Sequence, residues 1–170
     1  MSNKFITILI MGVAGSGKTT IAKMLSKKIN AFLIEADDYH SKNNINKMSS
    51  GIPLNDDDRY DWLVKIREEI KKRKSIQNLV VTCSALKEKY RLILNVDEYY
   101  LVYLKISKST AKIRIKNRQD HFMPDSLVDS QFDILEEPDD CITLDEFLKP
   151  DEMMTNLTSI INNNEFAYEK

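Results

Sequence analysis

A lysine and a threonine that directly follow a knot of glycines are the residues here best suited to chemistry. Gly12-Val13-Ala14-Gly15-Ser16-Gly17-Lys18-Thr19 has the spacing G-x-x-x-x-G-K-[ST]. Glycines let successive backbone N–H groups turn inward as an anion-binding nest, and a helix starting near Lys18 aims its positive end at the same point. Lys18 then reaches the β- and γ-phosphates of a nucleotide, and Thr19 offers its hydroxyl to magnesium. A bare strand-to-helix turn has no use for the Lys-Thr pair, so the segment reads as a nucleoside triphosphate site. The chain has only 4 glycines, where average usage would give roughly 12. Three of them lie in this loop, where the backbone must approach something closely.

A second group follows at Glu35-Ala36-Asp37-Asp38-Tyr39-His40. A period of two puts Glu35 and Asp37 on one side if the preceding extension persists, with Asp38 pointing the other way. Both would face the crevice beyond the strand ends, where open α/β sheets bind ligands. One carboxylate can hold magnesium through water while the other accepts a hydroxyl proton from a substrate; a solvated acidic loop is the plainer alternative. The residues give no preference between His40 as a ligand and His40 as a loop residue. Asn55-Asp56-Asp57-Asp58 reads as a helix cap with an acidic first turn. Arg59 opposes the helix dipole there and so asks for an anionic partner, either Asp56 or Asp57 nearby or a ligand. Arg91, in Lys87-Glu88-Lys89-Tyr90-Arg91, reads on its own as an exposed helix cation. Arg114 and Arg118 are four apart and would share a face of a predicted helix. They lead into a segment long enough for a lid loop, which by closing would keep water from the phosphates.

These groups need a scaffold. Phe5 to Met11 is apolar and β-branched without alternation, which suits a strand covered on both faces. Ile21, Leu25 and Ile29 then recur at helical spacing, giving the order strand, glycine loop, helix. Phe32 to Ile34, Leu79 to Cys83 and Leu101 to Ile106 are further short apolar runs, with a weaker one at Ile142 to Leu144, and the gaps between them admit crossover helices. Trp62, Leu63, Ile66 and Ile70 form one helical stripe from about Arg59; Met153, Met154, Leu157, Ile160 and Ile161 form another. The alternation predicts a parallel sheet with helices on both faces.

Composition narrows the partners. The 170 residues suit one compact domain, and 25 Lys plus Arg against 26 Asp plus Glu give a formal charge of -1. No global field exists to hold nucleic acid or an anionic membrane, so any anionic ligand needs local cations. The cluster Lys71 to Lys74 reads as a basic last helical turn. Cys83 and Cys141 have neither disulfide-framework nor zinc spacing, which fits a reducing cytoplasm. The early apolar run lacks a cleavage pattern and is too short to span a bilayer. A GTPase would need D-x-x-G and N-K-x-D segments, which do not occur, and the third strand lacks the metal-holding Asp of an ATPase motor. A small-molecule kinase remains.

Beyond the loop, LIEADDYHSKNNINKMSSGIPLNDDDRYDWL, CSALKEKYR and RQDHFMPDSLVDSQFDILEEP follow GVAGSGKT in order. Together they closely resemble the gluconokinase family of small P-loop kinases. The resemblance implies an α/β fold of three α/β/α layers around a mainly parallel sheet of about five strands, nucleoside-monophosphate-kinase-like, with a short lid. It implies one domain over 1–170, with the phosphate loop at 12–19, an acceptor-binding region at about 35–62 and a lid at about 114–126. The implied reaction moves the ATP γ-phosphate, with Mg2+, to the terminal hydroxyl of D-gluconate, giving 6-phosphogluconate for the pentose phosphate route. By the same resemblance Gly12 to Thr19, Thr20 and Arg118 hold the nucleotide, and Lys18, Asp37 and Arg118 are catalytic. Asp37, His40, Arg59, Arg91 and Gln131 line the sugar-acid pocket, with the arginines as planar forks for the carboxylate. Thr19 and Glu35 serve the metal. Glu35 stands where the family commonly has Asp, so its longer side chain favours contact through water. Ser41 replaces a usual proline, which is expected to loosen its loop, and His121 is expected to brace the lid. Family members are often dimers, so a homodimer is one expectation. The rival expectations are a kinase for another small hydroxy acid such as shikimate, and a nucleotide-binding regulatory protein that transfers nothing.

Overall fold

The computed structural model describes residues 5–95, 99–118 and 123–162. The strands are β1 (Thr7–Met11), β2 (Phe32–Glu35), β3 (Leu79–Thr82), β4 (Tyr100–Lys105) and β5 (Ile142–Asp145). They form one sheet in the order β2-β3-β1-β4-β5, and each neighbouring pair runs parallel. The helices are α1 (Lys18–Lys28), α2 (Lys42–Ser49), α3 (Asp56–Arg73), α4 (Glu88–Leu94), α5 (Lys108–Lys116), α6 (Asp125–Ile134) and α7 (Pro150–Asn162). One turn of 3-10 helix, Ala36–Tyr39, lies between β2 and α2. The five-stranded parallel sheet matches the expectation from the apolar runs.

The central strand β1 is buried at every residue, and its alternate side chains feed two cores. Ile8 and Ile10 pack with Ile21, Leu25 and Leu157 of α1 and α7 on one face. Leu9 and Met11 pack with Trp62, Leu63, Ile66 and Tyr90 of α3 and α4 on the other. A strand covered on both faces has no polar side to reveal, which is why its sequence does not alternate. The edge strand β5 does alternate between buried and exposed residues, and its sequence signal is correspondingly weak. A third cluster, with Val13, Leu86, Ile106, Ala111, Ile115 and Val128, lies beneath the phosphate loop and ties it to α5 and α6.

Caps set the ends of the helices that carry the site. At α3 the Asn55 side chain accepts from Asp58 N, and Asp58 accepts from Asn55 N, a reciprocal capping box. The last turn holds Lys71, Lys72 and Arg73, which pair with Glu68 and Glu69 one turn earlier. The basic cluster thus complements the helix dipole.

Two local expectations change. The extension after β2 does not persist to Asp37. The β2–β3 ladder ends at Glu35↔Thr82, where β3 itself ends. With no strand beside it, the chain folds into the 3-10 turn and Asp37 leaves the strand's alternation. Likewise α5 ends at Lys116 with Asn117 as its cap. Arg118 therefore lies past the helix, with its N–H on Ile115 O at 3.1 Å, and does not share a helical face with Arg114.

Candidate active site

The phosphate loop joins β1 to α1, and its backbone is fixed by sterics. Gly12 has φ +149°, and a Cβ there would meet Ser16 Oγ at 2.8 Å and Leu104 O at 2.9 Å. Gly17, the residue before α1, has φ +96°, and a Cβ on it would meet nothing within 4 Å. The first glycine is required by packing, the second by a left-handed backbone beside open space at a helix N-terminus. Gly12 N donates to Ser84 O at 3.3 Å, tying the loop to the end of β3.

Lys18 bends back over this loop, its Nζ donating to Gly12 O at 2.9 Å and Val13 O at 3.0 Å. Burial lowers its pKa, and nearby Arg118 acts in the same direction; Asp37 and Cys83 oppose them. The lysine is thus poised to gain from an added anion, and the structure brings Asp37 and Arg118 into its field. Two helices brace the loop from outside. Gln131 on α6 accepts from Ala14 N at 2.7 Å. Arg114 on α5 donates to Gly15 O at 3.3 Å. Thr19 and Thr20 are exposed on the first turn of α1.

Across the crevice lie Asp37, His40 and Arg59. The Asp37 side chain is 87% exposed, as a group that must reach a substrate needs to be. His40 Nε2 is 3.9 Å from Asp37 Oδ1, and its ring stacks on Trp62 with centroids 4.2 Å apart. Burial lowers the His40 pKa, with Asp37 opposing and Arg59 reinforcing the shift. Arg59 is buried. Its Nη1 donates to Leu54 O and reaches the Tyr90 hydroxyl at 3.4 Å, with the guanidinium over the Tyr90 ring. That hydroxyl in turn donates to Asp56, which also takes Lys87 Nζ at 2.9 Å and Lys89 Nζ. These cations and the phenol hold the Asp56 carboxyl well below its ordinary range; burial pushes the Tyr90 phenol up to about 12. Of the two nearby carboxylates expected as partners of Arg59, Asp56 is thus reached through Tyr90. Cys83, at the end of β3, feels Asp37, Lys18 and Arg59 together, and burial pushes its thiol up to about 12.

The chain that builds this arrangement has relatives among known proteins. An AAA domain family model matches residues 8–132. A probable gluconokinase of Xenopus tropicalis is 42% identical over 149 residues, which cover 77% of this chain and 78% of that one. The gluconokinase of Arabidopsis thaliana is 37% identical over 175 residues, 92% of each chain. This chain belongs to the gluconokinase family of AAA-domain proteins. A solved gluconokinase from Sinorhizobium meliloti 1021 shares its fold with TM-score 0.83 at 35% identity, covering 98% of this chain and 99% of that chain.

In this gluconokinase-family chain the other two residues expected to line the acceptor pocket, Arg91 and Gln131, sit in different settings. Arg91 is buried behind the turn after β3, with Nη1 on Ala85 O at 2.9 Å. Burial lowers its pKa, against the opposing fields of Glu136 and Glu88. On α4 it lies 100° of helix rotation from Tyr90, whose hydroxyl faces Arg59. Arg91 is thus engaged by the Ala85 carbonyl, and Gln131 by the phosphate loop at Ala14 N. His121 and much of the lid's tip lie outside the described residues. Ser41 does not loosen its loop: its side chain caps α2, accepting from Asn44 N at 3.1 Å.

Magnesium fits the donors present. Glu35 Oε1 is buried without a hydrogen-bond partner, and the Thr19 hydroxyl is an exposed oxygen at the loop's end. Among the described residues no group of three or more His, Cys, Asp or Glu could hold a metal. Sparse hard oxygens suit an ion that keeps its waters and takes phosphate oxygens. Sequence reasoning placed Trp62 only in a core stripe; it offered Asp56 as a partner for Arg59 but gave Tyr90 no part in joining them. The signal available for Trp62 was its position one turn after Arg59.

Proposed function

We propose that this chain is an ATP-dependent gluconokinase, moving the γ-phosphate of ATP to the terminal hydroxyl of D-gluconate to give 6-phospho-D-gluconate and ADP. The observation that carries the reading is the meeting of Lys18 with Asp37 across the crevice, with Arg59 and His40 on Asp37's side. Phosphoryl transfer needs little covalent chemistry from a protein, so positioning and charge do most of the work. The loop's N–H groups and Lys18 hold the triphosphate and neutralise charge that builds on it. Arg118 adds a second cation from the lid side. Asp37 orients the acceptor hydroxyl and accepts its proton as the oxygen attacks phosphorus in line with the departing ADP oxygen. Arg59 is the cation for the sugar-acid carboxylate, and His40 the neutral hydrogen-bonder for hydroxyls. Thr19, and Glu35 through water, would hold magnesium, which supplies charge neutralisation between the phosphates when bound.

The test is ADP release from Mg-ATP with gluconate, shikimate and a panel of other sugar acids. Gluconate is expected to give the highest kcat/KM by at least about 100-fold, as a site that pairs buried polar groups with substrate hydroxyls can achieve. A preference for shikimate would replace the substrate. ATP binding with no ADP release on any acid would replace catalysis with a regulatory role.

A further inference from the structure

Trp62 is the sole tryptophan of the chain, and it touches both acceptor-side groups that need a defined position. Its indole N–H donates to Ala36 O at 2.7 Å. Ala36 opens the 3-10 turn that carries Asp37, just where the β2–β3 ladder has run out. The turn closes on a long backbone bond, His40 N to Asp37 O at 3.4 Å. The indole's second contact is His40. Its side chain is 8% exposed, its Nδ1 is buried without a hydrogen-bond partner, and its plane lies 14° from that of the indole. A ring without a hydrogen bond on that nitrogen takes its orientation from what lies flat against it.

We propose that Trp62 is the positioning residue of the acceptor site: its N–H fixes the turn that presents Asp37, and its ring face fixes the plane of His40. One side chain on α3, a turn after Arg59, thereby sets the Asp37 turn and the His40 ring in register with each other. The identity of the acceptor rests on the gluconokinase reading; the geometry does not.

A tryptophan that served only the core would, on replacement, lower stability and leave the kinetics of folded enzyme intact. Trp62→Phe keeps a flat face and loses the N–H. Folded by circular dichroism, it is expected to lose about tenfold in kcat on gluconate with KM for ATP unchanged within about twofold, the cost of one misplaced reacting group. Trp62→Leu also loses the face and is expected to raise KM for gluconate about tenfold further. Wild-type kcat in Trp62→Phe overturns the proposal, as does a fall in kcat matched by an equal rise in KM for ATP.

Intrinsic fluorescence tests the pairing without a Trp62 variant. Protonated imidazole in face contact quenches indole emission, so emission should fall as pH drops below the ordinary histidine range. The titratable groups acting on His40 are Asp37, which favours protonation, and Arg59, which opposes it. His40→Gln should abolish the step; a step that survives, or none in wild type, overturns the proposal. Wild-type protein that shows the step but phosphorylates no gluconate would sink the gluconokinase reading alone. The Trp62 variants would then be compared on the acid that the substrate panel selects.

Discussion

Lys18 carries the strongest residue-level expectation because its surroundings make it costly to the fold and useful to a ligand. Burial disfavours its charge, so removing it relieves a penalty even as it breaks the bonds to Gly12 O and Val13 O. Lys18→Ala is expected to fold with near wild-type stability and to lose at least about 100-fold in kcat, the scale of one preorganised charge at a transition state. Undiminished turnover in steady-state assays would remove Lys18 from the mechanism. Asp37→Asn should lower kcat far more than it raises KM for ATP, since Asp37 lies on the acceptor side. The loop and its lysine were legible because glycine, lysine and threonine at that spacing have few other uses. Asp37 was legible as a residue but not in its setting. Its turn depends on where β3 stops and on an indole 25 residues away, neither of which a local period can report. Arg59 was legible as a cation in need of an anion, with Asp56 of its own helix among the candidates, but the Tyr90 phenol that links the two comes from another helix.

The acceptor region depends on α2, an element that the apolar pattern did not announce. Its only buried residue is Asn44, which donates to Asp58 O at 2.7 Å, while Lys47 pairs with Asp58 at 2.6 Å. A helix held by polar clamps has no hydrophobic stripe to read. A cleft of about 280 Å³ lined by Tyr39, Ser41, Asn44, Asp58, Trp62 and Lys65 runs along its inner side. With so little apolar burial, α2 depends on its cap. Ser41→Ala should cost about 1 kcal/mol. Ser41 has φ -66° and ψ 157°, and His40 before it has φ -62° and ψ 140°, both suited to a proline at 41. Ser41→Pro therefore loses the cap but stiffens the unfolded chain, and its stability should fall within about 1 kcal/mol of wild type. Urea denaturation of the three proteins decides this; a Ser41→Pro protein several kcal/mol weaker would mean that the loop's geometry is not proline-like. The end of α5 was misjudged for a related reason: spacing alone carries a helix on past Asn117, and the cap that stops it is a local polar choice.

Both proposed ligands are anions, yet the chain as a whole carries a formal charge of only -1. Recognition must therefore be local, with Lys18 serving the nucleotide and Arg59 the sugar acid from opposite banks of the sheet's carboxyl edge. The strand order was not legible in the sequence, because several crossover patterns suit the same alternation. It is the order β2-β3-β1-β4-β5 that sets the turn after β2 across from the loop after β1, with the Cys83 end of β3 between them. Two ligands held by separate groups on one rigid sheet should each stabilise the fold through its own site. At 100 times its Kd a ligand contributes about 2.7 kcal/mol, which for a chain of this size raises Tm by about 5–10 °C. Lys18→Ala should lose most of the Mg-ATP shift and keep the gluconate shift. Arg59→Lys should do the reverse, because a point charge does not replace a planar fork. Differential scanning fluorimetry with each ligand separates the two cases. If either variant lost both shifts together, nucleotide and acceptor sites would be one cooperative unit, and assigning one cation to each ligand would be wrong.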